Sequence, residues 1–83
     1  MISNEKTMRN ADYEMEVVGM AKSELAEMYA PDLSPHAALN RLSRWIAYNP
    51  QLTEALRLTG YRKHARQLSP RQVELIFRYL GEP

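Results

Sequence analysis

From Lys22 onward the apolar positions fall into four runs with helical spacing, each bounded by a proline, glycine or capping residue. The first run spans about Lys22 to Ala30. Leu25, Met28 and Tyr29 share one face at i, i+3 and i+4, with Glu24 and Glu27 outside. Ser23 or Ala21 opens this helix. Pro31 ends it, because the residue before a proline is pushed out of helical backbone space. The connection Pro31-Asp32-Leu33 is brief, with Leu33 expected to turn inward.

The second run is the most clearly two-sided. Ser34 is placed to cap, and Pro35 follows at a position where its missing N–H costs nothing. The helix can continue to about Asn49, where Pro50 forces its end. Ala38, Leu39, Leu42, Trp45 and Ile46 form one stripe, and Trp45 is expected at the centre of the core. His36, Asn40, Arg41, Ser43, Arg44, Ala47 and Tyr48 lie on the other side.

A third, short helix follows from about Pro50 to Leu58, with Leu52, Ala55, Leu56 and Leu58 apolar and Gly60 placed to end it. Tyr61 to Leu68 lacks helical period and reads as an extended, wing-like link carrying Arg62, Lys63, His64 and Arg66. The last helix opens on a capping box, Ser69-Pro70-Arg71-Gln72. Val73, Ile76, Phe77 and Leu80 make its core face, and Gly81 ends it. Leu75 and Tyr79 flank that face, as an edge of the core or as a self-association patch.

Upstream of the helices, Tyr13, Met15 and Val17 alternate with Asp12, Glu14 and Glu16, the period of a half-buried strand, before Gly19 breaks the run. Residues 1–11 have no period and read as a disordered tail. Residues 12–83 then form a single, mainly α domain of about four short helices, with at most a small β-ribbon from residues 12–18 and 61–68.

Composition narrows the picture. The chain has 83 residues and no cysteine, so its core is small and has no disulfide or thiolate site behind it. No signal-peptide pattern and no long apolar run is present, so a cytoplasmic protein away from membranes is expected. The net charge of +1 hides an asymmetry. Residues 1–32 carry three cations against seven acids, and residues 33–83 carry eight against three. Seven of those eight are arginines, whose planar fork suits phosphates and guanine edges.

Catalytic and metal chemistry find little support. His36 and His64 are far apart, no serine sits in a nucleophile elbow, and the three glycines form no phosphate-cradling loop. No enzymatic activity, cofactor or small-molecule substrate is expected. A helix entering a DNA groove, by contrast, needs long polar side chains on one face and packing on the other. The second helix offers Asn40 for adenine and Arg41 and Arg44 for guanine or phosphate, with His36 near its N-terminus. Arg62, Lys63 and Arg66 in the link are placed for the backbone, as a wing is. With Tyr48 the one aromatic set outward, a stacking platform for single strands is not expected.

The combination of Lys22-Ser23-Glu24-Leu25-Ala26-Glu27-Met28-Tyr29, Arg44-Trp45-Ile46, Asn49-Pro50, Gly60-Tyr61, Ser69-Pro70-Arg71-Gln72-Val73 and the ending Leu80-Gly81-Glu82-Pro83 is specific. It resembles a domain-of-unknown-function family of short proteins from anaerobic gut bacteria, over about residues 17–83. A weaker resemblance, through Glu24-Leu25-Ala26, Ser34-Pro35 and Gly60-Tyr61-Arg62, is to MerR-like winged helices. It implies a winged helix-turn-helix-like arrangement. The segment Ala26 to Ser34 is longer than that family's turn, and an additional helix precedes the wing.

The expectation from the chain is therefore a non-enzymatic binding protein for double-stranded DNA, a small regulator or mobile-element accessory factor. The competing expectation is a protein-interaction module, working as a homodimer or with another partner.

Overall fold

The computed structural model describes residues 18–83. The expected tail of residues 1–11 and strand of residues 12–17 lie outside the described residues. The order of elements is β1 (Met20–Ala21), α1 (Lys22–Tyr29), α2 (Pro35–Ala47), α3 (Pro50–Arg57), β2 (Gln67–Leu68) and α4 (Pro70–Leu80). The fold is mainly helical, with four helices and one two-stranded antiparallel ribbon. Met20 lies opposite Leu68 and Ala21 opposite Gln67. The described strand thus falls after Gly19 rather than before it.

Three helices begin the same way, with a polar cap followed by proline. Ala37 N–H donates to Ser34 Oγ at 3.3 Å, Leu52 N–H to Asn49 Oδ1 at 2.9 Å, and Gln72 N–H to Ser69 Oγ at 3.2 Å. Ser69 N–H returns a bond to Gln72 Oε1 at 2.9 Å, completing the expected capping box. Asn49-Pro50 therefore both stops α2 and starts α3. Ala21, not Ser23, is the N-cap of α1. With no side-chain acceptor of its own, it uses only half a box, its N–H donating to Glu24 Oε1 at 3.1 Å.

The buried core draws Leu25 and Ala26 from α1, Ala38, Leu42 and Ile46 from α2, Leu52 and Leu56 from α3, Leu68 from β2, and Val73, Leu75 and Ile76 from α4. Leu33, as expected, and Tyr61 pack half-buried against it. Some positions differ from the pattern reading. Met28 is exposed, and Ala26 takes the inward place beside Leu25. Trp45 lies at the rim, 38% exposed, instead of at the centre. Leu58 points outward. Of the two places open to Leu75, the structure gives it the core, while Phe77 and Leu80 are half-buried against the cluster and Tyr79 is exposed.

The segment after α3 is not one extended wing. Gly60 takes a φ of +86°, a conformation that costs L residues, and reverses the chain. Ala65 N–H then donates to the Arg62 carbonyl at 3.0 Å, closing a turn, and only Gln67–Leu68 is strand.

Gly19 is required for a different reason. A Cβ there would stand 2.8 Å from the Leu68 carbonyl oxygen and 3.2 Å from Pro70 Cδ. Neither is a flexible side-chain end, so Gly19→Ala must push β1 off β2. The expected loss is about 1–3 kcal/mol, typical of overpacking, read from the urea midpoint. An unchanged midpoint would show that the ribbon does not depend on this contact.

Candidate nucleic-acid interface

α2 presents two different flanks on either side of its buried stripe. On one, Leu39, Asn40 and Ser43 face the turn of residues 62–66 and enclose a groove of about 650 Å³. Lys63, His64 and Arg66 form the opposite wall, and the first turn of α1 closes the end with Lys22 and Ser23. No carboxylate lines this groove, whereas three cations do.

The turn is held against α1 by one residue. Lys22 is only 3% exposed, although it is a lysine in the first turn of a helix. Its backbone N–H donates to the Arg66 carbonyl at 2.8 Å, and its Nζ donates to the Lys63 carbonyl at 2.9 Å. The same ammonium stands 5.2 Å from the ring centre of Tyr61. Burial, reinforced by the charge of Lys63, lowers its pKa from the ordinary 10.5. Burial also raises the Tyr61 hydroxyl. Lys22 was not among the candidate site residues. The signal was present, since Lys22, Leu25, Ala26 and Tyr29 fall at i, i+3, i+4 and i+7.

Of the seven candidate residues, the structure brings Asn40, Lys63 and Arg66 to one groove. The other four stand elsewhere. His36 is exposed in the first turn of α2, and Arg62 is exposed at the start of the link; neither lines the groove. Arg41 lies about 100° round α2 from Asn40, by the geometry of the helix. Its guanidinium stands 5.9 Å over the Trp45 ring. Arg44 is exposed on the crest between the two flanks.

Nothing described neutralises these cations. Among the described residues, the ion pairs are Arg57 with Glu54 at 2.6 Å, and Arg71 and Arg78 with Glu74 at 3.2 and 4.0 Å. These pairs are solvated, so they add little to stability. They leave Arg41, Arg44, Arg62, Lys63 and Arg66 without a carboxylate among the described residues. Within the same residues, no cluster of three histidines or carboxylates is placed to hold a metal ion. No described helix is long and apolar enough to cross a membrane.

Comparison with known proteins adds a family. The model of a domain of unknown function, DUF4248, matches residues 19–83, all but one of the described positions. No curated protein and no solved structure matches the chain.

Proposed function

We propose that the chain, which belongs to the DUF4248 family, is a non-enzymatic DNA-binding protein. In this reading α2 and the turn of residues 62–66, beyond α3, act as the recognition helix and wing of a winged helix-turn-helix-like module. The observation that supports it is the groove, where Asn40 on α2 faces Lys63 and Arg66 with no acid among the lining residues. A polyanion gains from the two exposed cations of the groove, Lys63 and Arg66, and a helix edge carrying an amide offers hydrogen bonds to base edges. Arg44 on the crest and Arg62 beside the turn extend the cationic surface along which a phosphate backbone can run.

The test is fluorescence anisotropy with a random duplex between about 50 and 200 mM salt. Three to four neutralised phosphates give a log–log slope of about −3. Lys63→Ala/Arg66→Ala is expected to flatten that slope by about 2, since each variant removes one phosphate contact. Absence of binding at the lowest salt would sink the DNA reading.

One observation favours a second reading, a protein-interaction module. Leu58 is 72% exposed, and with Ala55, Pro50 and Tyr79 it lines a shallow depression between α3 and α4. Concentration-dependent sedimentation in the absence of DNA, abolished by Leu58→Ser, would support that reading for a homodimer.

A further inference from the structure

The flank of α2 away from the groove carries Arg41 and Trp45, with Arg44 beside them on the crest and Tyr48 following at the C-cap, so that the four fall at i, i+3, i+4 and i+7. The helix itself contains no acidic residue. Tyr48 is 76% exposed and Trp45 38%. Trp45 is nevertheless held firmly. Tyr29 meets its ring edge-on, with centroids 6.1 Å apart and planes at 81°, and the Arg41 guanidinium stands over it. Large aromatic surface left open at this cost in solvation, fixed in place and bordered by two arginines, needs a ligand with flat faces and negative charge.

We propose that this flank stacks unpaired bases, so that the protein favours DNA in which a single strand leaves a duplex. The inference rests on the DNA reading of the groove and adds a second contact to it. The groove takes the phosphates of the duplex. Trp45 and Tyr48 take the faces of bases freed from it, the Arg41 guanidinium moving off the Trp45 ring it covers in the free protein to reach the intervening phosphates with Arg44. Stacking suits any base, because every base has a π face, so this contact selects DNA form rather than sequence. An acidic protein segment is the competing occupant. Two exposed aromatics three residues apart and the absence of any acid on α2 favour nucleotides, whose charge and flat surface repeat together.

The chain's single tryptophan reports directly on this face. Three probes are compared at one salt concentration: a blunt duplex, the same duplex with a ten-nucleotide overhang, and that duplex with an abasic overhang of equal length. The abasic arm keeps the added phosphates and removes the bases. The expected result is binding roughly tenfold tighter to the natural overhang than to either other probe, with Trp45 fluorescence quenched only by it. Tyr48→Ala, at a position with little to lose in packing, should erase most of that preference, and Trp45→Phe should reduce it while keeping a ring against Tyr29. Lys63→Ala/Arg66→Ala should weaken all three probes alike.

Equal affinity for natural and abasic overhangs, with blunt duplex still bound, would overturn this inference and leave the groove reading standing. Overhang binding and quenching without binding of blunt duplex would overturn the junction preference together with the groove reading and leave a single-strand site on this flank. Failure of every probe to bind would end both, and Trp45 unquenched by any DNA would return this face to a protein partner.

Discussion

Leu25→Ala is expected to destabilise the domain by about 2–5 kcal/mol, the range for a fully buried leucine that leaves a cavity behind. Leu25 has no exposed surface, and it belongs to the single cluster that joins all four helices to β2. A domain of this size holds on the order of 5–10 kcal/mol in total, so one such loss removes a large share of it. Met28→Ala, three residues along the same helix, is expected to change stability by no more than about 0.5 kcal/mol, because Met28 is exposed. Urea titrations followed by far-UV circular dichroism give both values. The contrast is the point of the experiment: similar losses at both positions would mean that α1 is rotated about its axis relative to the structure described here.

That contrast also shows where sequence patterning stops being informative. Helix starts were legible because their causes are local. Ser34, Asn49 and Ser69 accept bonds from N–H groups three residues on, and the prolines behind them follow from the missing donor. Which edge of an apolar stripe is covered depends on neighbours distant in sequence. Among the first two helices and the residue that ends the first, Ala26, Ala30 and Ala38 are all buried. Trp45, at the margin of the stripe, is left half outside. On α4 the buried arc runs through a polar residue. Gln72 is buried because its Oε1 closes the capping box while its Nε2 donates to Thr59 Oγ1 at 3.0 Å. The capping box is legible in the sequence, but that Gln72 is also buried depends on Thr59, thirteen residues away.

The candidate site divides along the same line. Asn40, Lys63 and Arg66 were legible as polar residues on a helix and a link, and the structure brings them together. Arg41 was grouped with them because the whole outward side of α2 was treated as one face. Its partner is Trp45, one turn along the helix, and that pairing was hidden by the expectation that Trp45 is buried. The aromatic stripe was missed for the same reason. Lys22 was missed because a lysine at a helix start is usually solvated, while its burial depends on the turn of residues 62–66 closing over it.

Lys22→Met should separate the stability of this closure from its use. Methionine keeps an unbranched apolar stem in the buried position and removes the charge. Removing the ammonium relieves the desolvation of a buried charge and its repulsion by Lys63, against the smaller cost of leaving the Lys63 carbonyl without this bond. Here the ammonium has the Lys63 carbonyl and the Tyr61 ring as described partners, with Lys63 repelling it, so a gain is expected.

The pH dependence identifies the cause. Burial holds the folded-state pKa of Lys22 below 10.5, so over a window under that value the unfolded chain still binds a proton that the folded chain has released. Wild-type stability therefore rises with pH through that window as the penalty of the buried charge is relieved, and the advantage of Lys22→Met shrinks in step. Tyr29 acts in the opposite direction. Its hydroxyl is pushed up to about 12 by burial and by Glu82, so it contributes stability that is lost as pH rises from its ordinary 10.0 through that value. That loss is common to both proteins and cancels in the difference. Urea midpoints for the two, measured at intervals from pH 7 to 10.5, should converge toward the alkaline end, and a constant gap would show that the buried charge is not its source. DNA affinity should move the other way from stability, falling roughly tenfold in Lys22→Met at neutral pH, because the groove loses one of its three cations and the turn bearing Lys63 loses an anchor. Undiminished affinity in a stabilised variant would assign Lys22 to the fold alone and leave Lys63 and Arg66 to hold the phosphates.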